Sequence, residues 1–294
     1  MPRRFLPLLA LGVAVLAAGC VGSRRTNEYV PPAVPTAARA SVMSVDGTSQ
    51  FEIDANDDSY ESPDELPAGR VSVTLRNQAK QQRNAQFFRV KDGVTLVQVA
   101  AAFQRDPRSV VDLVTFAGGP GTVPPGGTQR IVQDLTEGQY IMSTLLLGED
   151  GMQFVPKGMF KTFRVTRAVA PPVTTPMPGD DRIVLADFAF GIPNLTAGSH
   201  TLRLDNVGKE PHEILVKRLA PRKTLADSLA FVVNPVGTPP YGDAGGLLVF
   251  PGGESTTMDL DLAPGQYVAI CYFREPVSSK THAELGMIRD FSVE

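Results

Sequence analysis

Residues Cys271 to Met287 read CYFREPVSSKTHAELGM and carry three soft donor atoms, in a thiol, an imidazole at His282 and a thioether at Met287. A second imidazole, His212, stands in the segment NVGKEPHE, Asn206 to Glu213. Side chains of these types, if brought together, suit a soft or borderline transition metal. Each also has an ordinary reading: Cys271 as a small core residue in an apolar strand, His212 and His282 as surface loop histidines, and Met287 as core filler.

Cysteine usage bears on this choice. The N-terminus has the form of an export signal: Arg3 and Arg4, an apolar run from Phe5 to Leu16, then Ala17, Ala18 and Gly19 before Cys20. The run is too short to span a membrane as a mature helix. LAAGC resembles the lipobox of bacterial lipoproteins, which implies lipidation of Cys20 and cleavage before it; the alternative is a secretory signal from which Cys20 is lost. Arg3-Arg4-Phe5-Leu6 faintly resembles a twin-arginine signal. On any of these readings the mature chain enters an oxidising compartment, where thiols are normally paired. With 2 cysteines in the sequence, Cys271 then has no partner in its own chain. It is left buried, paired with another molecule, or bound to a metal.

The elements that must position these residues read as β. The segments VSVTLRN, HTLRLDN, EILVKRL, TTMDLDL and QYVAICYF are short, partly alternating and bounded by turn residues. Many short strands with turns between them predict a Greek-key sandwich. Two stretches depart from this. TLADSLAFVV (Thr224 to Val233) and TLVQVAAAFQ (Thr95 to Gln104) show helical spacing after a capping Thr. The chain also repeats itself at domain scale. SYESPDELPAGRVSVTLRNQAK parallels AFGIPNLTAGSHTLRLDNVGK, LTEGQYIMST parallels LAPGQYVAIC, and GMFKTFRV parallels GMIRDFSV, in the same order. The expected layout is a signal peptide at 1–19, a lipidated Cys20 and Pro-rich tether at 20–40, one sandwich at 41–167, a Pro-rich linker at 168–182, and a second sandwich at 183–294. The expected fold class is all-β, two tandem sandwiches with one inserted helix each.

Three motifs of the second copy resemble the cupredoxins, the blue copper proteins. GQYVAIC (Gly265 to Cys271) resembles their Gly-x-Tyr-x-x-x-Cys strand, NVGKEPHE their Asn-x-x-x-x-Pro-His loop, and HAELGM their His-x-x-x-x-Met spacing. The resemblance implies cupredoxin-like sandwiches and one copper per chain, held by His212, Cys271, His282 and Met287. Two imidazoles, a thiolate and a distant thioether suit an ion that cycles between Cu(I) and Cu(II). Two of the 3 histidines fall on the required positions. The third, His200, is expected on a strand, partly buried and hydrogen-bonded. In the first copy the register places Arg83, Thr144 and Phe154 where His212, Cys271 and His282 stand, and only Met159 matches Met287; no copper is expected there.

Composition narrows the functional classes. At 294 residues, with 43% apolar content, 27 glycines, 25 prolines and a formal net charge of -3, the chain suits a soluble, turn-rich globular protein. No Lys/Arg block with interleaved aromatics appears, so nucleic acid is not an expected partner. Neither a G-x-S-x-G elbow, an H-E-x-x-H helix nor a P-loop is present. With His200 the one histidine left over, the chain is expected not to be an enzyme. It is expected instead to be a membrane-tethered electron carrier or copper-binding protein of the bacterial cell envelope, its redox partner left open. The alternative is a metal-free module that binds protein or glycan through its loops.

Overall fold

A computed structural model describes residues 42–43, 47–105, 107–144, 146, 158–168, 175–275 and 278–294. The signal, Cys20 and the tether lie outside the described residues, as does Phe154. Residues 37–294 form one compact unit.

The all-β expectation holds. Among the described residues three sheets account for the architecture: one of nine strands shared by both halves, one of five strands confined to the first half, and one of four confined to the second. In the shared sheet the first half contributes Ser49–Ala55, Gly69–Asn77 and Thr128–Leu135. The second contributes Ser255–Leu262, Gly198–Asn206 and Asp181–Ala186 in mirrored order. The halves meet where Thr128–Leu135 pairs antiparallel with Ser255–Leu262, Val132 opposite Thr257 and Ile131 opposite Met258. Each half then packs its own second sheet against its side of the shared one. Ser49–Ala55 shows the alternation this demands, with Phe51, Ile53 and Ala55 fully buried between exposed or half-buried neighbours.

Several local devices recur in both halves and carry the repeat from sequence into structure. The Gly-Gln-Tyr entries become tyrosine corners: the Tyr140 hydroxyl donates to the Thr136 carbonyl at 2.9 Å, and that of Tyr267 to the Ala263 carbonyl at 2.8 Å. Asn77 and Asn206 each fold the turn that follows them, accepting from Ala79 N at 2.8 Å and Gly208 N at 3.1 Å. The two expected helices are Leu96–Arg105 and Leu225–Val233. Thr224 caps the second in a reciprocal box with Asp227.

Two features depart from the expected layout. A 3-10 segment, Pro107–Asp112, follows the first helix. Strand Asp181–Ala186 starts inside the expected linker, and the residues before it lie on the shared sheet. Arg70 donates to the Thr175 carbonyl at 2.9 Å, and Thr257 to the Pro178 carbonyl at 2.8 Å. Proline content signals an extended chain, but extended chain can still dock when its carbonyls meet donors on a sheet face.

Candidate metal centre

His212 opens strand His212–Leu219 directly after the turn that Asn206 organises. The Asn206 amide donates to the Glu210 carbonyl at 3.1 Å and to the Phe250 carbonyl at 3.3 Å. Asp187, from the two-residue turn between Asp181–Ala186 and Ala189–Gly191, completes the loop. Its carboxylate accepts from Lys209 N at 2.9 Å, Glu210 N at 3.1 Å and His212 Nε2 at 3.2 Å. The Glu210 N–H above all, with help from His212 and Lys209, holds Asp187 below the usual carboxylate range. Gly208 makes the approach possible: a Cβ there would lie 2.3 Å from Asp187 Oδ1 and 2.9 Å from His212 Nε2.

Cys271 continues strand Gly265–Ile270. Its N–H donates to the Met287 carbonyl at 3.2 Å, and its own carbonyl accepts from Ala283 N at 2.9 Å. His282 N donates to the Phe273 carbonyl at 2.7 Å, while its carbonyl accepts from Met287 N at 2.8 Å. The arm between cysteine and histidine is long and polar, yet it is anchored at its return. Thr281 and Glu284 form a reciprocal box, with Thr281 N donating to the Glu284 carboxylate at 2.8 Å and Glu284 N to the Thr281 hydroxyl at 3.2 Å. The turn Ala283–Leu285 that follows closes on Gly286 at φ 115°. The Thr-x-x-Glu signal is visible in THAE and was the one local clue to how His282 is held.

The three donors converge. His212 Nδ1 and His282 Nδ1 are 2.9 Å apart, Cys271 Sγ lies 3.6 Å from His282 Nδ1, and one ligand atom from each residue falls within 4.8 Å of the others. All three side chains are 0% exposed. Met287, also fully buried, shares the core with Cys271 and is joined through its backbone to both Cys271 and His282. His200 lies elsewhere, its Nε2 against the Thr196 carbonyl at 2.8 Å and its Nδ1 3.5 Å from Asp181.

The electrostatics favour neutral imidazoles and a neutral thiol when no metal is bound. Burial lowers the pKa of His212 against the pull of Asp187, and burial together with His212 takes His282 down to about 4. Burial, reinforced by Glu213, pushes the Cys271 thiol up. The proton positions then test whether a cation fits. His212 Nε2 faces a carboxylate and carries the proton, so its Nδ1 presents a lone pair. His282 Nε2 is buried with no hydrogen-bond partner. With its proton on Nε2, His282 sets a second lone pair against the first; with it on Nδ1, a lone pair is stranded in the core. A cation between the two Nδ1 atoms and the sulfur removes the clash of lone pairs while His282 keeps its proton on Nε2, and the donor set is that of a soft or borderline metal.

The first half fills the corresponding place with protein. Arg83, 1% exposed, donates to the carbonyls of Asn56 at 3.0 Å, Gln82 at 2.8 Å and Asp57 at 2.7 Å. Thr144 donates to Asn84 Oδ1 at 2.8 Å. Met159 is fully buried.

No protein-family model matches the chain, and no curated protein matches it in sequence. Among solved structures it is similar to a multicopper oxidase, at 14% identity over 87% of this chain and 93% of that one, with a TM-score of 0.27. It is similar to auracyanin A, a "blue" copper protein from the green thermophilic photosynthetic bacterium Chloroflexus aurantiacus. That match has 17% identity over 41% of this chain and 100% of the other, with a TM-score of 0.28. A third similarity is to the Cu-containing nitrite reductase of Thermus scotoductus, at 12% identity over 84% of this chain and 61% of that one, with a TM-score of 0.22. Two of these three are enzymes, and the expectation that this chain is not an enzyme is corrected accordingly. That expectation rested on counting histidines. Such a count limits what one chain can assemble from its own imidazoles and leaves open catalysis with groups from elsewhere.

Proposed function

We propose that this chain is a copper-binding, one-electron-transfer protein of the bacterial cell envelope, tethered to a membrane through lipid on Cys20. The copper site is type 1-like, held by His212, Cys271 and His282 with Met287 as the fourth, weaker ligand. The observation that carries the reading is the buried meeting of two Nδ1 atoms and one thiol sulfur from segments 70 positions apart in the chain. Copper bound there would supply one-electron chemistry through its Cu(I)/Cu(II) couple. The protein's part is to hold the donors before the metal arrives. Asp187 fixes the His212 tautomer, the Thr281–Glu284 box sets His282, and the strand Gly265–Ile270 aims Cys271. Export with a lone cysteine and the lipobox-like LAAGC support the envelope location and the tether.

The test is to add copper to the purified mature chain and record its visible spectrum and metal content. The expected result is one copper per chain and an intense blue or green colour that Cys271→Ser abolishes. A colourless protein that retains no copper would reject the reading and leave a pair of β-sandwich scaffolds that bind through their loops.

A further inference from the structure

The first half supplies none of the three clustered ligands, yet it reaches the rim of the centre. Phe273, two residues past Cys271, stands edge-on to the His282 ring at 5.2 Å and 84°. It also stands edge-on, again at 5.2 Å and 84°, to Phe116 of the first half. Phe116 ends strand Val114–Phe116, lies opposite Phe88 in the register of that sheet and meets its ring at 5.4 Å. Phe188, on the turn it shares with Asp187, also stands edge-on to His282, at 5.1 Å. The imidazole therefore meets one ring from its own half and a second ring that leans on the other half.

The seam beside Phe116 is fixed in register. Gly118 N donates to the Val249 carbonyl at 2.9 Å, Leu248 N to the Gly119 carbonyl at 2.9 Å, and Gly121 N to the Gly246 carbonyl at 2.9 Å. Gln86, 0% exposed, bonds both backbone groups of Val249, at 3.0 Å each. The partner segment Tyr241–Phe250 is the strand that pairs with His212, through Phe250. A ring held two residues from such a junction has little freedom, whereas Phe273 sits on the long arm that follows Cys271. Phe116 is the ring of the first half that it meets. The buried, partnerless His282 Nε2 shows that the enclosure reaches the far side of the imidazole.

We infer that the first sandwich serves as the lid of the metal centre, with Phe116 acting as a positioning residue that keeps Phe273 closed over His282 and Cys271. The inference rests on the proposed metal site for its purpose, but the closure itself belongs to the metal-free chain. Its function is to keep water, oxidants and competing ligands from the thiol and the imidazole edge.

The test measures how fast a dithiobis-nitrobenzoate reagent labels Cys271 in the metal-free full chain, in a Cys20→Ser background so that one thiol reports. Wild type is compared with Phe116→Ala and Phe116→Leu, each over a series of low urea concentrations. Labelling of Phe116→Ala is expected to be about tenfold or more faster than wild type, and independent of low urea, as befits local opening rather than global unfolding. Phe116→Leu, which keeps the fold and most of the volume, should fall between the two and carries the test if Phe116→Ala does not fold. Labelling unchanged by both substitutions, or accelerated only in step with global unfolding by urea, would overturn the inference. The copper assay keeps the two ideas apart. A blue protein whose thiol ignores Phe116 defeats the lid alone, and a colourless one whose thiol is exposed by Phe116→Ala defeats the copper reading alone.

Discussion

His212 and His282 point Nδ1 at Nδ1 across 2.9 Å, both rings fully buried and both with basicity lowered by burial. Neither imidazole therefore holds an extra proton at neutral pH, while the buried Cys271 thiol keeps its own. A divalent metal entering this site displaces the thiol proton, while the neutral imidazoles have no extra proton to give up. Loading with Cu(II) at pH 7 in weak buffer should release between one and two protons per chain, one from the thiol and a fraction from Glu213, whose carboxyl burial pushes up to about 7, read with a pH indicator; release of more than two would mean that an imidazole was charged beforehand.

Asp187→Asn keeps an oxygen to accept from Lys209 N and Glu210 N but removes the negative charge facing His212 Nε2. Outer partners of this kind commonly change metal affinity by about 10- to 100-fold when altered. A loss in that range, measured by competition with a chelator while the melting temperature of the metal-free chain stays near wild type, is the expected outcome. An unchanged affinity would show that the carboxylate shapes the turn and does not tune the ligand.

Thr281→Ala removes the hydroxyl that ties the His282 turn to Glu284 at both ends of the box. Loss of such a cap costs about 1 kcal/mol, and here the cost falls on the ordering of one ligand. Metal affinity should drop about fivefold, since about 1.4 kcal/mol corresponds to a full factor of ten. Isothermal titration with Cu(I) under anaerobic conditions would read it, with Thr281→Ser expected to restore most of the loss.

Asp205 offers a pH signature away from the centre. Burial opposes its charge, but hydrogen bonds from Ser255, Arg203 and Arg182 prevail and hold its pKa below the usual carboxylate range. A depressed carboxylate contributes stability above its unfolded pKa of about 3.9, and the contribution fades as pH falls through the lower folded value. Asp205→Asn should cost about 1 to 3 kcal/mol in urea unfolding at pH 7. The gap from wild type should close as the pH falls below about 4. A gap that persists at low pH would assign the loss to packing.

The parts of the molecule that local chemistry encodes are readable in the sequence. The Gly-Gln-Tyr corners, the capped helix after Thr224, the repeated Asn turns and the scarce soft ligands all leave a mark in a few adjacent residues. What could not be read depends on contacts between distant segments. Asp187 looks like any turn aspartate until the hairpin brings it to His212. Phe188 adopts φ 63°, a conformation that sequence rules reserve for Gly or Asn, because its turn is only two residues long whereas four separate Ala55 from Tyr60 in the first copy. The pairing of Thr128–Leu135 with Ser255–Leu262 has no signature in either strand, since each reads as an ordinary strand of its own sandwich.

That pairing decides how the protein must be made. Separating the halves would strip each of a neighbour along a strand central to the shared sheet and bare a row of amide and carbonyl groups, the kind of margin from which strands recruit foreign chains. Wherever the chain folds, the first half thus exposes an adhesive border until the second half is seated. Chaperone cover until residues 136–254, the stretch between the two strands, have been followed by the partner strand becomes a determinant of yield.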